Sequence, residues 1–369
     1  MSSLPCRVRS GVTCYAADEA TANPDITGWG PRVSHRGGLG VRDDCPNARS
    51  PKRLGFKAQK MGRFWRMIII RPDPGPGEVL INLCVHFRWS MSLKRRSHDG
   101  SCEFGPKWKA LVVPAAADQV GGHEGVGTVV KLRPGAETTS IKVGDRVVVQ
   151  WIASACSRGG TFQQFTLGPA NDVTPTPDGL DSASAAPLLC ARVTVYSALL
   201  KSQTKPGDWV VVSDAGGGLG HLAVQIGARV LGLRIIGIDH ASKVDLFKEL
   251  GTKNFVDITQ FPRDDEGAAI TAYVKSLTDG LGASGVIVCT AADVAYSQAV
   301  PFLRFNVTNQ YRINGSSVGN QQEAIEVLGF AARGLVKAHY QIENMENLTK
   351  VSEDMRDGKV QGRVMLNLS

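Results

Sequence analysis

The sequence predicts an α/β protein in which a doubly wound parallel sheet is joined to a smaller β-rich domain. Two observations carry this prediction. Residues 208–239 read without interruption as strand, glycine turn, helix and second strand, and further strands and helices alternate as far as residue 303. Before them, residues 78–165 hold short apolar runs separated by Gly and Pro turns, a pattern typical of a compact β domain.

The run 208–239 has the features of a dinucleotide-binding unit. Its turn is rich in glycine: Gly216, Gly217, Gly218 and Gly220. Without side chains there, a phosphate can approach the backbone, and the helix that follows presents N–H groups to it. Asp239 ends the second strand 19 residues after Gly220, where a carboxylate can bind ribose hydroxyls and repel the 2′-phosphate of NADP. The run therefore predicts NAD binding, and the alternative is a unit of this fold without a ligand.

Charge and composition argue against several classes of protein. The net charge of +8 is concentrated in residues 1–66, which hold 12 Lys or Arg against 5 Asp or Glu, while the remainder holds 30 against 29. We expect a solvated basic segment and no nucleic-acid partner, the alternative being an arm that contacts RNA or a membrane surface. No apolar run has the length of a membrane span, and the N-terminus lacks a signal-peptide pattern, so a cytoplasmic protein without membrane contact is expected.

The remaining elements follow from the spacing of apolar residues and turns. Residues 1–66 show neither strand nor helix period and are predicted to have little regular structure. Strands are predicted at 67–70, 78–83, 120–130, 143–149 and 162–165, with a loop over 87–119. Helix is predicted over 183–200, and beyond the nucleotide unit come helix 242–250, strand 254–257, helix 265–277, strand 285–290, helices 292–303, 322–334 and 348–358, and strand 362–368.

Six motifs together resemble the zinc-dependent alcohol dehydrogenases of the medium-chain dehydrogenase/reductase superfamily, above all the fungal type. They are Gly-Gly-His-Glu-Gly at 121–125, Val-Gly-Asp-Arg-Val at 143–147, Leu-Cys-Ala at 189–191, the glycine turn, Phe-Ala-Ala-Arg-Gly-Leu-Val-Lys at 330–337 and Gly-Arg-Val at 362–364. The resemblance implies a GroES-like catalytic domain over 67–190, with 335–369 packing back on it, and a Rossmann NAD-binding domain over 191–334.

The resemblance also implies one catalytic zinc ion. The histidine, the glutamate and the second cysteine of the family's site correspond to His123, Glu124 and Cys190, which are expected to be catalytic and to lie at the metal. The zinc acts as a Lewis acid on the substrate oxygen while hydride passes between the substrate carbon and the nicotinamide. Outside this frame, a His–Glu pair is more often a turn, and a single Cys is more often a core side chain.

The family pattern assigns cofactor and substrate residues as well. The glycine turn with Leu219, together with Asp239, Lys243 and Arg363, is implied to bind the phosphates and ribose of NAD. Trp108 and Trp151 are implied to line a pocket for a small alcohol or aldehyde, with plain packing as the alternative. A homodimer or a homotetramer is the implied assembly.

The metal-binding segments depart from the family pattern in two places. The family's first zinc cysteine and its neighbours fall on Trp89, Ser90 and Met91, none of which can serve as a thiolate ligand. Cys102 therefore becomes the candidate third ligand, with Cys84 or His86 as alternatives. The family's lobe for a second, structural zinc ion has four closely spaced cysteines. Only Cys156 is present in this sequence, and none of the eight cysteines forms a CxxC pair, so no structural zinc and no disulfide framework are expected.

The nucleotide-binding half departs from the pattern too. A strand and a loop are shortened between residues 305 and 314, Asp214 replaces the first glycine of the turn, and Arg192 replaces a glycine beside Cys190. Asp214 would place a carboxylate where the pyrophosphate should lie. These departures leave open an impaired enzyme or a chain assembled by incorrect splicing. The expected function is NAD-linked alcohol oxidation, and its rivals are a zinc-free, NADPH-linked reductase of quinones or enoyl groups and a non-catalytic NAD-binding protein.

Overall fold

The structure is a computed structural model of the 369-residue chain. It describes the backbone of residues 12–14, 52–58 and 64–70, and then residues 73–88, 124–137, 139–150, 161–250, 252, 254–262, 267–290, 292–304, 312–356, 359–360 and 363–367. Its strands are β1 Val12–Cys14, β2 Lys52–Ala58, β3 Phe64–Ile70, β4 Glu78–Arg88, β5 Gly125–Leu132, β6 Arg146–Val149, β7 Phe165–Pro169, β8 Thr174–Pro175, β9 Trp209–Ser213, β10 Arg234–Asp239, β11 Asn254–Asp257, β12 Gly285–Val288, β13 Ile313–Gly315, β14 Tyr340–Asn344 and β15 Arg363–Asn367. Its α-helices are α1 Ser182–Ala185, α2 Ala191–Lys201, α3 Gly220–Gln225, α4 Val244–Glu249, α5 Ala268–Ser276, α6 Asp293–Ala299, α7 Gln321–Ala332 and α8 Leu348–Arg356.

The larger α/β unit is built on a six-stranded sheet in the order β11-β10-β9-β12-β1-β13, and every strand pair in it is parallel. Successive residues of β9 point to opposite faces. Val210 and Val212 enter one apolar cluster, and Val211 enters another on the opposite face. Burial on both faces explains the continuous apolar run at this strand, as is typical of a parallel sheet. The predicted α/β class is confirmed.

The position between β12 and β13 in this sheet is occupied by β1. Val12 pairs with Val286 on one side and Ile313 on the other. Strands β2 and β3 form a separate antiparallel pair. The sequence predicts little regular structure over residues 1–66, and at these strands the structure differs from that prediction. Strand pairing depends on partners far along the chain, which local composition does not reveal.

The β-rich unit is a seven-stranded sheet in the order β14-β15-β4-β5-β6-β8, with β7 also paired to β4. Its apolar interior includes Val79, Ile81 and Val147. The C-terminal strand β15 pairs antiparallel with β4, which returns the end of the chain to this unit. That pairing supports the domain division expected from the sequence, whose boundaries remain a proposal.

The helix predicted over 183–200 is divided into two helices. Helix α1 continues into a 3-10 turn at Ala186–Leu188, and α2 begins after Cys190. Pro187 lies inside the 3-10 turn, where it cannot donate a helical hydrogen bond. Within the described part of the chain, no single helix is long and apolar enough to cross a membrane, and this pair, bent by 44°, passes that test on length and composition alone.

Candidate active site

The glycine turn lies between the end of β9 and the start of α3. A hydrogen bond from Ala215 N to the Ile238 carbonyl oxygen, 3.2 Å long, joins the backbone of the turn to the neighbouring strand β10. Gly220 is required at the start of the helix, because a Cβ there would overlap the carbonyl oxygen of Asp214. Leu219, which the sequence assigns to the cofactor site, is only 7% exposed and packs in the core.

Asp239 joins the end of β10 to this turn. Its Oδ2 accepts a hydrogen bond from Gly216 N at 2.7 Å, and its Oδ1 accepts one from His240 N at 2.7 Å. The Lys243 ammonium lies 3.5 Å from Asp239 Oδ2 and 3.6 Å from Asp214 Oδ1. The structure therefore brings Asp239 and Lys243 together at the turn and adds Asp214 to them.

Arg363 reaches the other side chains of the predicted site from β15. Its Nε donates to the Gly218 carbonyl at 2.9 Å, and its Nη1 lies 3.9 Å from Glu124 Oε1. Arg363 and Glu124 are both completely buried. The hydrogen bond from Arg363 to Gly218 therefore ties the glycine turn to the β-rich unit, in which Arg363 and Glu124 both lie.

Glu124 in turn contacts Cys190. The Cys190 N–H donates to Glu124 Oε2 at 2.7 Å, while the Thr161 hydroxyl donates to the Glu124 carbonyl at 3.0 Å. Burial raises the pKa of Glu124 to about 8, although Arg363 and the hydrogen bond from Cys190 lower it. Cys190 is 6% exposed and is not in a disulfide. Two residues distant in sequence are thus joined at the start of α2.

These residues fit part of a zinc site. Zinc is bound in proteins by cysteine sulfur, histidine nitrogen and carboxylate oxygen, and Glu124 Oε1 is a buried oxygen without a hydrogen-bond partner. The remaining predicted site residues, His123, Cys102, Trp108 and Trp151, lie outside the residues that the structure describes. Among those it does describe, no group of three or more His, Cys, Asp or Glu side chains could hold a metal. His123 directly precedes Glu124 in the chain.

The glycine turn and its neighbours fit a dinucleotide. A Cβ on Gly216 would come within 2.7 Å of the Lys243 side chain, so a side chain there would displace Lys243 from the turn. Asp239 lies at the strand end where a ribose would be bound. The fit has one defect, the carboxylate of Asp214.

Sequence reasoning missed His221, which is completely buried behind the turn. Its Nδ1 lies 2.7 Å from the Gly217 carbonyl, and its Nε2 accepts from His339 N at 3.3 Å. Burial lowers the pKa of His221 to about 3, so the ring is neutral, donating from Nδ1 and accepting at Nε2. The only hint in the sequence is its place directly after Gly220.

Arg192 was noticed in the sequence as a departure, but its burial was not foreseen. It is 0% exposed, and its Nη2 donates to the Val336 carbonyl at 3.1 Å. Its Nε and Nη1 have no hydrogen-bond partner in the described structure. Burial, followed by the charge of Arg363, lowers the pKa of Arg192 to about 9. Burying a cation without partners for all of its N–H groups lowers the free energy of unfolding.

Comparisons with known proteins show the family to which the chain is related. Residues 101–178 match the family described as the alcohol dehydrogenase GroES-like domain, and residues 218–308 match the family described as zinc-binding dehydrogenase. Alcohol dehydrogenase 2 of Emericella nidulans is 49% identical, covering 81% of this chain and 92% of that protein. The alcohol dehydrogenase of Schizosaccharomyces pombe is 33% identical, covering 80% and 91%.

Two solved structures share the fold. The alcohol dehydrogenase of the archaeon Aeropyrum pernix has a TM-score of 0.68 at 22% identity, covering 85% of this chain and 99% of that one. Acetophenone reductase of Geotrichum candidum, solved with NAD, has a TM-score of 0.65 at 21% identity, covering 86% and 98%. The GroES-like and Rossmann folds expected from the sequence are thereby confirmed.

Proposed function

Because the chain belongs to the zinc-type alcohol dehydrogenase family, we propose that it transfers hydride between a small primary or secondary alcohol and NAD, with one catalytic zinc ion. The observation that carries the proposal is the position of Arg363. Its side chain reaches both the Gly218 carbonyl and the Glu124 carboxylate, which binds Cys190. Three segments widely separated in sequence therefore meet, which supports a site with cofactor and metal side by side, as in the family.

When bound, zinc supplies Lewis-acid polarisation of the substrate oxygen, and NAD accepts the hydride. Cys190 and His123 would hold the metal, with Glu124 beside them. Arg363 lies beside the Glu124 carboxyl group, lowers its pKa against the effect of burial, and orients the turn through Gly218. Asp239, held by Gly216 N, would face the adenosine ribose and favour NAD over NADP.

The finer assignments extend this proposal. Cys102 is the proposed third zinc ligand, since a catalytic site needs three protein ligands and one open position. Trp108 and Trp151 are proposed to line the alcohol pocket. We propose no structural zinc ion, a homodimeric or homotetrameric assembly and a cytoplasmic location, with neither nucleic acid nor membrane as a partner.

The test is zinc content together with NADH-dependent reduction of acetaldehyde by purified full-length protein. We expect about one zinc per chain with turnover, and loss of both in Cys190→Ser and in Cys102→Ala. The matched control for zinc content is Cys289→Ser, because Cys289 is also a buried cysteine but directly follows β12, and it should keep its zinc.

Other outcomes would replace the proposal. Protein without zinc that reduces a quinone with NADPH would be the zinc-free reductase of the same superfamily. Protein without zinc or turnover that still binds NADH would be a non-catalytic NAD-binding protein. Full zinc content in Cys190→Ser would contradict the assignment of this ligand.

A further inference from the structure

Asp214 occupies the inner side of the glycine turn. Its backbone is left-handed, with φ of 52°, a conformation that favours glycine. The three atoms nearest to a Cβ placed on Gly217 are all from the Asp214 carboxyl group. The carboxylate therefore covers the backbone of Gly217, at a point where a pyrophosphate needs close approach to a bare main chain.

The charges around Asp214 are unbalanced. Asp239, at the end of β10, and Lys243, in the 3-10 turn that follows, both face Asp214. The Cys289 thiol, just after β12, also lies near Asp214. Burial and then the charge of Asp214 raise the pKa of Cys289, which keeps this thiol neutral. Two carboxylates thus share one ammonium group, which leaves a net negative charge where an anionic ligand would bind.

We propose that the Asp214 carboxylate competes with the cofactor pyrophosphate for the glycine turn, so that NADH binds most tightly when Asp214 carries a proton. The inference rests on the proposed NAD-linked function and adds a pH control to it. With Asp214 neutral, Lys243 and the backbone N–H groups face the phosphates without an opposing charge. Asp214 is then a residue that tunes cofactor affinity and takes no part in hydride transfer.

The proton on Asp214 is exchanged near neutral pH. Burial, followed by the charge of Asp239, raises the pKa of Asp214 to about 7, against the lowering effect of Lys243. A bound pyrophosphate adds negative charge and shifts this pKa upward, so binding is coupled to proton uptake. The side chain is 34% exposed, so solvent screens part of the effect but also lets the proton exchange.

The experiment is calorimetric titration of full-length protein with NADH at about pH 6, 7, 8 and 9. NADH binding should be coupled to the uptake of at most one proton. For the natural chain, the Kd should rise by up to about tenfold per pH unit above about pH 7. Asp214→Asn keeps the shape and removes the charge; its Kd should stay within about twofold across the range. The control Asp245→Asn removes an exposed carboxylate of α4, paired with Lys248 at 3.1 Å, and should follow the natural chain.

Asp214→Gly supplies a second variant in case Asp214→Asn does not fold, since glycine suits a φ of 52°. The Asp214→Gly protein should bind NADH with a Kd that does not depend on pH. Equal Kd values and equal pH slopes in the natural chain and the Asp214 variants would overturn the inference and leave the proposed function standing. Absence of NADH binding in all of them at every pH would overturn both. Binding by the variants alone would support the inference in its strongest form.

Discussion

Two charge clusters hold the same glycine turn, and they differ in exposure. Arg363 and Glu124 are completely buried, and Arg363 donates a hydrogen bond to the Gly218 carbonyl of the turn. Asp214, Lys243 and Asp239 hold it on the Gly216 side, with 34%, 23% and 7% of their side chains exposed. Water does not reach the buried pair, so this pair fixes the geometry of the turn. The partly exposed cluster can gain a proton or a ligand, so it can respond to conditions.

The largest effect should follow from Arg363→Met, which breaks the buried pair. Because the pKa of Glu124 is raised to about 8, the variant is compared at about pH 9, where an ionised Glu124 would be left as an uncompensated buried charge and the link to Gly218 would be lost. We expect a loss of about 3–5 kcal/mol in the free energy of unfolding, measured with urea. Glu124→Gln combined with Arg363→Met should recover at least about 1 kcal/mol. An Arg363→Met variant as stable as the natural chain would mean that Arg363 does not hold the glycine turn to the β-rich unit.

The next effect concerns the turn itself. Gly220→Ala places a methyl group against the Asp214 carbonyl, so the turn must open, at a cost of about 1–3 kcal/mol. NADH affinity should fall with it. The matched control is Gly329→Ala in α7, where no atom lies within 4 Å of the added Cβ, and which should be stabilising by about 0.5–1 kcal/mol. Equal stability of both variants in urea unfolding would show that the turn is adaptable.

A smaller effect separates the partly exposed cluster from the buried pair by its dependence on pH. The raised pKa of Asp214 means that its contribution to stability is fully present below its ordinary value of 3.8 and is lost as pH rises through about 7. Asp214→Asn avoids that loss. Its unfolding free energy relative to the natural chain should rise between these limits, by at most about 1 kcal/mol because solvent screens the exposed part. If the difference in unfolding free energy between Asp214→Asn and the natural chain did not change with pH, the raised pKa of Asp214 would be contradicted.

The smallest effect should come from the exposed pair of Asp245 and Lys248 in α4, whose side chains are 90% and 72% exposed. Asp245→Asn should change the free energy of unfolding by less than about 0.5 kcal/mol. A larger change in the same urea experiment would show that exposure alone does not rank these clusters.

Much of the nucleotide-binding unit could be predicted from sequence. Strands β9 and β11 begin and end where the apolar runs do, and β10 ends at Asp239 as expected. Strands β1, β13 and β14 were missed, because each is short or half-polar and is defined by its partners. The break before α2 was missed for a related reason, since a tertiary hydrogen bond from Cys190 to Glu124 takes the place of a helical one.

By itself, the sequence determined the glycine turn, the strand before it and the acidic residue after it. These features depend on backbone freedom and apolar periodicity within a few tens of residues. The tertiary structure alone decided that Arg363 meets Glu124, that His221 and Arg192 are buried, and that Asp214 points over Gly217 toward Lys243. Such contacts join segments that are distant in sequence or depend on side-chain direction. Burial and strand pairing settle them only when the whole chain has packed.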